Sequence, residues 1–433
     1  MRGSNDPSAL RSREVVQRLL RDLRDTEGLK HLFWSELNYD QISQPIARRG
    51  WPQAALNALA EDPILLAGHG DFHVVYSRLH STERLHLTDE RAVVNRLLAE
   101  HPYALFVFSD STQSNWHFVN VRYDAAAADR PERRRVFRRI SVGPDERLRT
   151  AAERITMLDV QGGQLAMLGR SPLEIQRQHD EAFNVEKVTA AFFEGYKAAY
   201  SALRKDLEAQ TGDAVWAHDY ALQFLNRIMF LYFIQRKRWL GEDLEFLKTF
   251  WDAYRSSKGP ADSFFRRWLS VLFFEAFNNR FGPKQHFSKE INEALQLAPY
   301  LNGGLFERNE LDRKHDHSVS DELFGSIFEF FEGYNFTIAE DSPLDQEVAV
   351  DPEMIGKVYE SLVNVHEADD ESGQWGIFYT PRTEIDLMCR LALVDHLANH
   401  LGDEHKQCLY RAVAHARTAL RPPGVADRVR PGR

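Results

Sequence analysis

The spacing of apolar positions changes character along the chain, and each change predicts an element. Residues 11–41, ending in HLFWSELNYD, read as helix. Apolar residues then crowd into short β-branched and aromatic runs. DPILLAGHG and FHVVYSRL predict two strands with Gly68 and Gly70 punctuating the link. TDERAVVNRLLAE returns to helical spacing through Val93, Val94, Leu97 and Leu98, with Thr88 as the N-cap candidate. YALFVFS, WHFVNVRY and VFRRISV predict three more strands, and RTAAERITML a helix. Helix, two strands, helix, three strands describes a mixed α/β domain over residues 1–160.

Residues 161–298 are almost wholly helical in pattern. Val185, Val188, Phe192 and Tyr196 keep one face, and ALQFLNRIMFLYFIQRKRWL is apolar nearly all round, as expected of a helix central to a bundle. Its apolar part is broken by Asn226 and Arg227 and is too short to span a membrane. Arg236, Lys237 and Arg238 at its end suit the helix dipole, so they read as a cap at least as well as a partner site. Residues 299–372 form a looser connector. The stretch GIFYTPRTEIDLM, Gly376 to Met388, then turns an aromatic pair into a helix through Thr380 and Pro381. Proline at a first helical position leaves the other early N–H groups free to face a ligand. Residues 411–433, rich in Arg, Pro and Gly, predict a disordered tail.

Composition narrows the classes. A net charge of −10 and a pI near 6.0 argue against a protein that is basic throughout, although a local basic stripe can act against an acidic background. Two cysteines, Cys389 and Cys408, exclude a disulfide framework and fit a reducing cytoplasm. No signal-peptide core opens the chain, and no membrane association is expected.

The ordered set ALFVFSD, NWHFVNV, FLNRIMFLYFIQRKRWL, PYLNGGLFE, YNFTIAED, DPEMIGKVYESL and GIFYTPR resembles the N-terminal half of large adenine-specific DNA methyltransferases, those of type IIG restriction-modification enzymes and of phage-defence systems such as BREX. The resemblance covers about residues 30 to 405. It implies an α/β N-terminal domain, for which a restriction-nuclease-like topology is one option, then a helical spacer, then the start of a Rossmann-like methyltransferase domain at 373–410. It also implies that Gly376, Phe378, Tyr379, Thr380 and Pro381 touch the methionine end of S-adenosylmethionine, and that double-stranded DNA is the partner.

The sequence departs from that pattern where chemistry would begin. After Pro381 only Gly402, Gly424 and Gly432 remain, and no G-x-G follows a strand. The Asn/Asp-Pro-Pro-aromatic turn that would hold a flipped adenine is missing, since Pro422-Pro423 lacks both flanking partners. No catalytic residue is therefore assigned, and S-adenosylmethionine belongs to the full-length family rather than to this chain. Either the sequence is cut short after the FYTP motif, or it is a DNA-binding or scaffold subunit working with a separate methyltransferase or restriction chain.

Three further patterns carry candidate chemistry. A restriction-type nuclease sets carboxylates beside a Glu-x-Lys on adjoining strands to hold Mg²⁺. Here Tyr76-Ser77-Arg78 stands in that place after Asp71, and Glu36 cannot complete a pair alone, which leaves only a site assembled from Asp71, Glu83 and Glu90. Arg133, Arg135, Arg138 and Arg139 belong to the densest positive run, where strand alternation would line arginines along phosphates; the competing reading is a solvated hairpin. His315 and His317 lack a third ligand nearby, so no metal site is expected.

Overall fold

The computed structural model describes residues 7–82, 84–123, 135–161, 171–301, 304–337, 345–350, 356, 380 and 382–415. The chain falls into two compact units, Met1–Ile355 and Gly356–Arg433.

The first unit opens with α1 (Pro7–Arg21) and α2 (Thr26–His31), then β1 (Asp40–Pro45), α3 (Gln53–Ala58), β2 (Ile64–His69), β3 (Phe72–Arg78), α4 (Leu87–Leu97), β4 (Ala104–Ser109), β5 (Trp116–Tyr123), β6 (Arg135–Val142) and α5 (Leu148–Thr156). These six strands form a mixed sheet in sequence order, and β7 (Asp345–Glu347) adds to it from far downstream. Pairing is antiparallel except for β3 with β4 and β6 with β7. A parallel neighbour cannot be reached by a tight turn, and α4 supplies the crossover from β3 to β4. Apolar side chains leave the sheet on both faces. Trp116, Phe118 and Ile140 join a core with α1 and α5, whereas Val119, Val121 and Phe137 join one with α3 and α4.

Expectation and structure differ at three places here. The helix read over 11–41 stops early, and Asp40–Pro45 is an edge strand whose exposed polar residues, DQISQP, give no alternating signal; proline is tolerated on such an edge. The short α3 was not anticipated from sequence. Thr88 does not cap α4: His86 occupies that position and offers no side-chain bond, and Thr88 lies inside the first turn.

Among the described residues the α-helices that follow are α6 (Pro172–Ala182), α7 (Val185–Thr211), α8 (Ala214–Arg236), α9 (Phe246–Ser256), α10 (Ser270–Phe274), α11 (Lys289–Gln296), α12 (Leu311–Lys314) and α13 (Asp321–Glu332). A capping box of Ser171 and Glu174, with Pro172 behind it, starts α6. Gly212, at φ +69°, ends α7, and Asp213 at once caps α8 by accepting from Trp216 N. Helix α8 is buried along almost its whole length, as its all-round apolar pattern predicts. Gly195 lets α7 approach α13 closely, since a Cβ there would sit 2.3 Å from the Phe330 ring. The sheet and helices are tied together by charge: Arg147 makes two 3.0 Å hydrogen bonds to Glu332, which also accepts from Tyr232 Oη at 2.9 Å.

In the second unit, α14 (Arg382–Leu401) is the helix predicted to follow Pro381, and α15 (Lys406–His415) is held by a 2.5 Å bond from Arg390 Nη1 to Val413 O. Leu387, Met388 and Leu391 of α14 are exposed. Helix α15 carries regular structure to residue 415, past the expected start of the tail at 411.

Candidate nucleic-acid interface

The structure breaks up the arginine run. Arg133 lies outside the described residues. Arg135 is exposed at the start of β6, where its Nη1 donates to Asn95 Oδ1 at 2.9 Å. Arg138 and Arg139 are buried, contrary to a stripe facing phosphates. The cause is the position of β6. It lies between β5 and β7, with apolar cores on both faces, so alternation sends the two arginines inward on opposite sides.

Arg139 is part of a buried charged cluster. Its Nη2 lies 3.4 Å from Glu90 Oε2, and the other carboxylate oxygen of Glu90 is hydrogen-bonded to His117 Nδ1. Burial alone would raise the Glu90 carboxyl, but His117 and Arg139 together hold it below its ordinary value. The carboxylate is thus engaged by Arg139 and His117. Glu83 lies outside the described residues, and Asp71 is exposed in the β2–β3 turn. Strand register places His117 in line with Ser77, four residues along β3 from His73, roughly 13 Å away. Asp71 and Glu90 are therefore not brought together. Tyr76 and Arg78 are engaged too, with Tyr76 Oη 2.8 Å from Ser109 Oγ and Arg78 Nε donating to Ser111 O at 3.0 Å.

The basic end of α8 is paired: Arg236 donates to Glu146 Oε1 at 2.9 Å and Asp145 O at 2.7 Å, and Arg238 to Asp145 Oδ2 at 3.2 Å. His315 meets Asp213 at 3.0 Å, and His317 Nδ1 lies 3.0 Å from His315 O. Among the described residues no group of three or more His, Cys, Asp or Glu could hold a metal ion. Of the proposed cofactor contacts, Thr380 is exposed, and Gly376, Phe378, Tyr379 and Pro381 lie outside the described residues.

A basic cleft that sequence reading missed opens beside α10 and α12. Phe274, Asn278, Arg280, Glu307, Arg308 and Arg313 line a cavity of about 340 Å³. Phe274 and Arg308 continue into a neighbouring hollow of about 180 Å³ that includes Arg266. All four arginines are exposed. The Arg308 guanidinium lies 4.6 Å from the Phe274 ring centre, and Arg313 donates to Arg308 O at 2.6 Å. Asn278 fixes the cleft floor by donating to Phe273 O and Phe306 O at 3.0 and 2.9 Å. Of the nearby acids, Asp312 is engaged by Arg227 outside the cleft, Asp316 pairs with Arg266 within the neighbouring hollow, and Glu307 is exposed in the cleft lining. No charge run marks this cleft, because Arg266, Arg280, Arg308 and Arg313 are spread along the sequence with acids between them.

A stretch of 165 residues, 37% of the chain, is 31% identical to a protein of Methanocaldococcus jannaschii described as "Putative type II restriction enzyme and methyltransferase". That stretch is therefore related to a restriction-modification protein. It spans 13% of that relative's length. No family model and no solved structure matches the chain.

Proposed function

We propose that this chain is the DNA-contacting and positioning part of a site-specific adenine-N6 methyltransferase of a restriction-modification or phage-defence system. The observation that carries this reading is the 31% identity to a restriction-modification protein. The exposed arginines of the cleft support it, because guanidinium groups on a concave, aromatic-backed surface suit a phosphate backbone. In this reading Arg280, Arg308 and Arg313 hold backbone phosphates, with Arg135 as an additional contact and Arg133 assigned to the same role from sequence. The exposed apolar residues of α14 are covered by methyltransferase structure supplied by more polypeptide or by a separate subunit. Gly376, Phe378, Tyr379, Thr380 and Pro381 then contribute one wall of an S-adenosylmethionine site completed by that structure. The cytoplasm is the proposed location; among the described residues no helix is long and apolar enough to cross a membrane.

Binding to a mixed-sequence duplex at several salt concentrations tests the cleft. Replacing Arg280, Arg308 and Arg313 with Ala should weaken binding and reduce the slope of log K against log salt by about 0.9 for each phosphate left without its arginine. Unchanged affinity and slope would remove the cleft from the interface.

A further inference from the structure

A second cavity, on a different part of the first unit, has the chemistry of an anion site. It lies between α5, α7 and the end of α13, encloses about 330 Å³, and is lined by Arg149, Glu153 and Arg154 on one side and Glu329, Gly333 and Tyr334 on the other. This volume is at the lower end of small-molecule pockets, roughly 300–1,000 Å³.

Arg154 is the distinctive group. Its residue is 7% exposed, its Nε has no hydrogen-bond partner among the described residues, and its Nη1 reaches the sulfur of Met157, at 3.8 Å. Thioether sulfur is a weak acceptor. Glu153 and Tyr334 act on Arg154 through space, yet burial still weakens its hold on the proton. An arginine so poorly bonded is costly to bury; its Nε is closed off from solvent, so an acceptor in the cavity would be met by the terminal guanidinium nitrogens. The wall opposite is shaped to leave room. A Cβ at Gly333 would stand 2.9 Å from Arg149 Nη1, so glycine lets the Arg149 side chain lie along the cavity.

We propose that this cavity binds the phosphate of a small phosphomonoester, of the size of a nucleoside monophosphate, through Arg154 and Arg149. A guanidinium offers a planar fork of donors that matches phosphate oxygens. The exposed carboxylates of Glu153 and Glu329 disfavour an extended polyanion here and offer acceptors to hydroxyl or amino groups of the ligand. The site is independent of the arginine cleft, and its failure leaves the DNA-contact reading intact.

Calorimetric titration of the full chain with adenosine 5′-monophosphate, inorganic phosphate and adenosine tests the assignment. The monophosphate should bind, inorganic phosphate should compete with it, and adenosine should not bind. Binding of inorganic phosphate without binding of the monophosphate would mean that the site takes free phosphate and that the phosphomonoester assignment is wrong. Arg154→Met should weaken binding about 10-fold or more. Ala191→Phe, at an exposed α7 position on the cavity wall, should block it while leaving every charge in place. Absence of binding by either phosphate compound, or affinity unchanged in a folded Arg154→Met or Ala191→Phe variant, would overturn the proposal.

Discussion

Arg227 and Asp312 form a two-pronged ion pair withdrawn from water, with Nη1 to Oδ1 at 2.7 Å and Nη2 to Oδ2 at 2.9 Å, and side chains 0% and 3% exposed. Nε of Arg227 donates to Leu305 O at 2.6 Å, and its guanidinium lies 5.2 Å from the Phe274 ring centre, so the pair also supports the basic cleft. Removing one partner leaves the other charge buried and unmatched. Asp312→Ala should cost about 3–5 kcal/mol of stability, whereas replacing both residues with apolar ones should cost much less. Urea unfolding measures both. A loss under about 1 kcal/mol in the single variant would mean that water reaches Arg227.

His179 should make the fold sensitive to mild acid. It is fully buried, and burial pushes its imidazole down to about 3 from 6.5. Tyr39 Oη donates to Leu158 O at 3.0 Å and lies 2.8 Å from His179 Nε2, which fits a neutral ring with its proton on Nε2. The unfolded chain takes up a proton below about pH 6.5 and the folded chain resists it. The stability contributed by the neutral ring is thus fully present above the unfolded value and is lost as pH falls through the window toward 3. The slope is on the order of 1.4 kcal/mol per pH unit. In His179→Phe, the fall in melting temperature between pH 6.5 and 5 should be shallower than in the parent. Parallel curves would show that another group sets the acid response.

Arg135 and Arg139, two of the arginines expected on one stripe, should behave differently. Arg139→Ala removes the guanidinium that faces Glu90 and should destabilise the fold by about 3–5 kcal/mol. Because the Glu90 carboxyl is held below its ordinary value, its contribution is present above about pH 4.5 and is lost on acidification. Arg135→Ala should leave stability within about 0.5 kcal/mol and lower the slope of log K against log salt for duplex binding by about 0.9. Denaturation and binding measured on both variants check this. A stable Arg139→Ala protein with a reduced salt slope would restore the stripe.

The arginines also show where the sequence could be read and where it could not. Strands β2 to β6 announce themselves as β-branched and aromatic runs, and α8 as a helix apolar all round. The polar edge strand β1 and the three-residue β7 carry no such signal, because their pairing is set by backbone bonds to neighbours distant in sequence. Charge runs read naturally as solvent-facing. Yet β6 contains Val136 and Phe137, then Ile140 and Val142, which is apolar on both faces and marks a strand covered on both sides. That pattern could have warned that Arg138 and Arg139 point inward. Asn226 and Arg227 read as interruptions of an apolar helix; each instead has a distant partner, Asn226 accepting from Tyr196 Oη at 2.9 Å and Arg227 holding Asp312. Arg154 stands with Arg147 and Arg149 at the end of the arginine-rich stretch, but such a run does not reveal that one member is buried with its Nε unmatched.

The purified chain should transfer no methyl groups to DNA. Transfer needs a glycine-rich strand-turn-helix to seat the cofactor and acceptors around the exocyclic amine of a flipped adenine, and the sequence after Pro381 supplies neither. On the proposed reading, Gly376 to Pro381 would contribute only one wall of a pocket. One wall provides few contacts to offset the entropy of immobilising the ligand, so S-adenosylmethionine should bind weakly or undetectably by calorimetry. Incubation with labelled S-adenosylmethionine and duplex DNA provides the direct check. Incorporation above background that disappears on Tyr379→Ala would show that the chain carries a complete site built from other residues. Activity that appears only on mixing with a separate methyltransferase polypeptide would instead support the subunit reading.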